Sequence, residues 1–319
     1  MTIRIYKSTD TGAPALTGEA GSLLNVLSTC LVEGYGDHPP AGWSKAYQAD
    51  NIGVYTPASG KAFYLQVTDD GTPHPSYSYR IAGVRIYETM TDATTGSDPI
   101  PASGIRYIGK SVYLSDLARP WMLIADGRAF YLINNPQHPN LLDGDLRYQQ
   151  IHFAGQMHAS NPADNWAIAL SCSTRYYVSI NNSALQLAKV VPSGSGTTGM
   201  DVQRSFDGAT KATYLSHINH LGSTSNILGN VGYTVMENED DWLLYPMPVM
   251  HDHSAPGIKR AYMPGLWLSV GNDASHNEYA HAGKLIDGPN GANTLLAINS
   301  RLSGHHAVFF IDLTDWGRG

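Results

Sequence analysis

The sequence predicts a mainly β protein of the α+β kind: an antiparallel β-sandwich, or barrel-like sheets, with one N-terminal amphipathic helix. Three observations predict it. Short runs rich in Tyr, Ile and Val recur between clusters of Gly, Asn, Asp and Pro. A single segment repeats its apolar residues at the helical period. No regular alternation of strands and helices supports a parallel sheet.

The helix comes first along the chain. From Ser22, the apolar residues Leu23, Leu24, Leu27, Cys30 and Leu31 fall on one face at helical spacing. The run stops at Glu33-Gly34-Tyr35-Gly36, where a glycine can take a left-handed C-cap conformation, and Pro39-Pro40 forbid continuation. The helix is expected over about 20–33. Its apolar face packs either against the protein's own sheet or against a partner.

Strands are expected at 62–67 and 77–88; in the second, Val84 and Ile86 alternate with Arg85 and Tyr87. The strongest local signal follows at 121–133. Trp121 to Ala125 and Arg128 to Ile133 are β-favouring runs joined by Asp126-Gly127, the pattern of a type I′ hairpin whose central residues need positive φ. Further strands are expected at 105–114, 166–172, 175–180, 186–191, 212–218, 241–249, 258–263, 294–299 and 307–313. The stretch 192–199 (PSGSGTTG) has linker composition, so the chain reads as two β-rich lobes, 1–191 and 200–319, or as a single domain 1–319.

Composition narrows the function. The 319 residues carry only 15% charged side chains, with 20 basic against 27 acidic for a net charge of -7. Without any Lys/Arg run, the electrostatic footprint of a nucleic-acid-binding surface is missing. The N-terminus has no apolar signal-peptide core, and runs such as AVFFI at 307–311 are far too short to span a membrane. Cys30 and Cys172 are expected to be free buried thiols. Nineteen Tyr against six Phe favours half-wet surfaces and protein contacts.

Candidate chemistry is sparse. Thirteen His residues include His251-Asp252-His253, His217 with His220, His276 with His281, and His305-His306, but none has the complete ligand pattern of a structural zinc site. No nucleophile elbow or phosphate loop occurs. The densest acidic cluster, Glu237-Asn238-Glu239-Asp240-Asp241 beside Trp242, reads as a solvated turn; in a glycosidase it would supply the carboxylate pair. Trp43, Trp121, Trp166, Trp242, Trp267 and Trp316 are scattered, as expected of core residues rather than of a glycan platform. No catalytic, cofactor-binding or metal-binding residues are therefore assigned.

The order of segments carries more than any one motif. The helix from Gly21-Ser22-Leu23-Leu24 to Cys30-Leu31-Val32-Glu33-Gly34-Tyr35-Gly36 is followed by Ala41-Gly42-Trp43 and by Arg85-Ile86-Tyr87-Glu88-Thr89-Met90-Thr91-Asp92. Next come Arg119-Pro120-Trp121-Met122-Leu123-Ile124-Ala125-Asp126, Phe130-Tyr131-Leu132, and Met263-Pro264-Gly265-Leu266-Trp267. This order resembles a family of virion proteins of tailed bacteriophages, over nearly the whole chain except about 185–235 and the loops. The resemblance implies a non-enzymatic structural protein, assembling as a homo-oligomer or docked on other virion proteins, in the tail or baseplate or as a head or neck accessory. It implies location in the virion after synthesis in the host cytoplasm. It carries no active residues. The alternative from another class is a virion-associated module that binds glycans or degrades cell walls.

Overall fold

Two hydrophobic cores lie on opposite faces of one seven-stranded antiparallel sheet, so the architecture is three stacked β layers. The computed structural model describes residues 2–73, 79–112, 116–137, 139, 150–172, 200–205, 207–209, 211–215, 244–250, 259–269, 283–302 and 305–317. In chain order the elements are β1 (Arg4–Lys7), helix α1 (Ser22–Ser28) running into a π-helical turn (Thr29–Glu33), β2 (Ser44–Ala49), β3 (Ile52–Thr56), β4 (Tyr64–Thr68) and β5 (Arg80–Tyr87). They continue with β6 (Thr89–Met90), β7 (Gly96–Ser97), β8 (Arg106–Ser111), β9 (Trp121–Ala125), β10 (Ala129–Asn134), β11 (Gln150–Gln156), β12 (His158–Ala159) and β13 (Ile168–Ser171). The last are β14 (Met200–Arg204), β15 (Lys211–Leu215), β16 (Leu244–Met250), β17 (Lys259–Ser269), β18 (Leu285–Gly288), β19 (Gly291–Leu302) and β20 (His305–Asp312).

The central sheet runs β1-β9-β10-β11-β13-β14-β15. On one side lies the helix-side sheet, β2-β3-β4-β5-β8, together with α1. On the other lies a C-terminal sheet, β12-β17-β20-β19-β18, with β16 also paired to β17. Because successive strand residues face opposite ways, β9 divides cleanly between the cores. Trp121, Leu123 and Ala125 join the helix-side core, and Met122 and Ile124 join the other. Every residue of β9 and β10 is buried, which is why these strands read as continuous apolar runs rather than as alternating ones. Strands from both sides of 192–199 pair in this one sheet, with Ala169 opposite Val202.

The mainly β class with one short helix is as expected, and the helix face is now placed. Leu23, Val26, Leu27, Cys30 and Leu31 are fully buried in the helix-side core beside Tyr55, Leu65, Val67 and Ile86. It packs intramolecularly. The helical segment ends where expected, at Glu33, but its last turn is the wider π-helical form. Gly34 ends it at φ 81, ψ 169, positive in φ but extended in ψ. A Cβ there would meet the His38 carbonyl oxygen at 2.7 Å, so only glycine lets the two loops close.

The Asp126-Gly127 hairpin exists, with Ala125 opposite Phe130, but its turn is not the type I′ form. Neither Asp126 nor Gly127, the residues expected to need it, has positive φ, and nor does Arg128. The buried Asp126 carboxylate instead accepts from the Arg128 and Ala129 backbone N–H groups at 2.7 and 2.9 Å and bonds the Arg128 guanidinium. The side chain supplies the acceptor that turn geometry was expected to supply. Gly127→Val therefore carries no positive-φ penalty, and the residue the turn depends on is Asp126.

Candidate functional site

Among the described residues, buried and half-buried ion pairs join separate elements of the fold. Asp69, after β4, and Lys110, on β8, form an ion pair with both side chains fully buried. Asp69 Oδ2 also accepts from the Leu23 backbone N–H at 2.8 Å, capping the first turn of α1 from another element. Lys110 Nζ donates to the Glu19 carbonyl at 2.6 Å. Burial pushes the Asp69 carboxyl up and the Lys110 ammonium down, each opposed by the partner's charge.

Three arginines make comparable links. Arg106 of β8 grips Asp201 of β14 in a two-pronged pair, with Nη2 2.6 Å from Oδ1, tying the helix-side sheet to the central sheet. Arg204 of β14 holds Glu88 at 2.6 and 2.7 Å and reaches Asp98 at 3.4 Å, so it fastens both roots of the β6-β7 excursion. Arg260 of β17 pairs with Asp164 at 2.8 and 3.2 Å, out of solvent. Other carboxylates organise turns. Asp92 accepts from the Thr94 N–H, the Thr94 hydroxyl and the Thr95 N–H, which hold its carboxyl down at about 2.

The tyrosines behave similarly. The phenol of Tyr6 donates to the Pro39 carbonyl, Tyr47 to Met90, Tyr55 to Leu24 and Tyr131 to Pro264, at 2.7 to 3.2 Å. These bonds lash distant segments together, so this part of the tyrosine content serves the fold rather than an outer surface. The tryptophans divide as a core reading expects. Trp43, Trp121 and Trp316 are buried, and Trp267 packs half-buried against Leu295, Ala297 and Phe310. Trp166 is half-buried, with Lys61 and Arg204 cations over its ring at 4.5 and 4.7 Å, which leaves a poor platform for a sugar.

Both cysteines are buried and free, and burial pushes their thiols up, away from the reactive thiolate. His152 on β11 was not singled out from sequence. Its ring is buried with Nε2 3.0 Å from Gln150 Oε1, and burial lowers it to about 3. It is neutral at ordinary pH. The sign for stability follows: between about 6.5 and 3 the unfolded chain binds a proton that the folded one refuses, so stability falls as pH falls through that window. A His152→Gln variant should show a shallower acid slope than the parent there, by up to about 1.4 kcal/mol per pH unit. Denaturant titrations at several pH values check this, and parallel slopes would contradict it.

Several of the sheet edges are guarded. On β8, Gly109 N–H donates to Gln150 Oε1 at 3.1 Å, and its carbonyl accepts from Asn134 Nδ2 at 2.6 Å, so central-sheet side chains close that edge. Strand β2 is bulged between Lys45 and Tyr47. Strand β16 carries Pro246 and Pro248, with register shifts. The Lys7 N–H on β1 is taken by Asp10 Oδ2 at 2.7 Å.

His217, His220, Glu237, Glu239, Asp240, Asp241, Trp242, His251, Asp252, His253, His276 and His281 lie outside the described residues, as do the strands expected at 175–180 and 186–191 and the 192–199 stretch. His305 and His306 open β20, opposite Leu302 and Arg301. Among the described residues, no group of three or more His, Cys, Asp or Glu side chains is placed to hold a metal ion, and no helix is long and apolar enough to cross a membrane. Comparison with protein-family models and with curated proteins finds no match to this chain.

Proposed function

We propose that the chain is a non-enzymatic structural protein of a tailed-phage virion, assembling through protein-protein contacts in the tail or baseplate region, with a head or neck accessory position as the alternative. The observation that carries the reading is the order of segments resembling that virion family. Apart from Ala41-Gly42-Trp43, which precedes β2, those segments fall on α1, β5, β6, β9, β10 and β17, and all but β6 contribute to the three layers. The internal use of carboxylates supports it: Asp69, Asp126, Asp164 and Asp201 are buried and committed to ion pairs or turns, so they serve rigidity rather than proton transfer. The guarded edges at β1, β2, β8 and β16 disfavour strand addition there and favour assembly through loops and sheet faces. With a charge content of 15%, contacts should depend on shape and buried area more than on ionic strength. Immunogold labelling of purified particles tests the reading. Label on the tail or baseplate supports it, label on the head or neck selects the alternative, and protein confined to infected-cell lysate overturns it.

A further inference from the structure

We propose that residues 313–317 form a latch whose Trp316 indole holds the C-terminal sheet onto the central sheet, and that without it this sheet opens as a unit while the helix-side core stays folded. Trp316 is only 3% exposed and belongs to the core between those two sheets. Its ring stands edge-on to Tyr131 of β10, with centroids 5.4 Å apart and planes at 88°. The Tyr131 hydroxyl in turn donates to the Pro264 carbonyl of β17 at 2.8 Å. One aromatic pair thus bridges both sheets.

The surrounding sequence is shaped to this indole. Gly265 sits at φ 61, and a Cβ there would meet the Trp316 ring at 2.2 Å, so glycine is required both by the backbone and by the seated ring. The Trp316 Nε1–H donates to the Asp312 carbonyl at 2.8 Å. The buried Asp312 carboxylate folds the turn that delivers it, accepting from the Thr314 N–H and hydroxyl and the Asp315 N–H at 2.7 to 3.0 Å, and from Asn290 Nδ2 at 2.9 Å. Leu313 N–H is pinned to the Thr294 carbonyl of β19 at 2.8 Å. Strands β17 and β20 therefore meet at this one side chain, and β19 pins the segment that delivers it. The helix-side core, on the opposite face of the central sheet, uses none of these residues. The inference rests on this geometry alone and stands apart from the virion reading.

Hydrogen exchange read by mass spectrometry on the full chain tests it, comparing the parent with Trp316→Ala. Amides of β17, β19 and β20 should exchange about 100-fold faster or more, while those of β3, β4 and β5 stay within about twofold of the parent. Acceleration spread equally over both cores, or none in either, overturns the latch. Gly265→Ala keeps the indole but crowds its seat and strains the β17 backbone at the same point. It should give the same one-sided pattern with a smaller shift, and it decides the question by the same two outcomes if Trp316→Ala does not fold.

Discussion

Lys110→Met is expected to destabilise the protein by about 3 to 5 kcal/mol, because it leaves the Asp69 carboxylate buried, charged and unpaired. Both side chains are fully buried, so water cannot replace the lost ammonium. The penalty extends to the helix, since the same carboxylate caps the Leu23 N–H. Asp69→Asn with Lys110→Met should recover much of the loss: the amide keeps an acceptor for Leu23 and no charge remains to solvate. Urea unfolding of the two singles and the double measures the coupling directly. A single variant within about 1 kcal/mol of the parent would contradict the pair's assigned role.

Leu27→Asp is expected to abolish folding. Leu27 has no exposed surface and sits in the helix-side core. Losing a buried leucine costs about 2 to 5 kcal/mol, and placing an unpaired carboxylate there adds several more. That total rivals the whole stability of an ordinary domain, about 5 to 15 kcal/mol. Far-UV circular dichroism and the elution volume of the purified variant check it. A folded subunit that merely failed to join its partners would show instead that the helix face is a docking surface, against the packing found here.

The fold class was legible because strong local rules and tertiary packing agreed. Leu23, Leu27 and Leu31 keep helical spacing, and the runs in β9 and β10 are too apolar to lie anywhere but inside. Strands were missed where packing overrode local pattern. Strand β2 (SKAYQA) is a bulged, largely exposed edge, and β11 (QIHFAGQ) carries Gln150 and His152 inward to serve Gly109 and each other. The spacing of Asp126-Gly127 located the hairpin but mistook its mechanism, because only three dimensions show the carboxylate turned inward onto two N–H groups. Stacking in three layers was not legible either. Sequence alone does not distinguish a strand buried on both faces of a central sheet from one buried in any core.

The layer-joining pairs were equally hidden, since their partners lie far apart along the chain, 95 residues for Arg106 and Asp201 and 116 for Arg204 and Glu88. No local motif announces such a contact. The tyrosine count pointed towards assembly surfaces, yet Tyr6, Tyr47, Tyr55 and Tyr131 spend their hydroxyls on carbonyls of the same chain. These four tyrosines therefore serve the fold and not an assembly surface.

Quantitative mass spectrometry of purified phage particles tests the structural-protein account most directly. The account predicts that this chain copurifies with the particles at a fixed ratio to the major tail protein, unchanged by a high-salt wash. Absence from the particles, or a trace amount that salt removes, would contradict it.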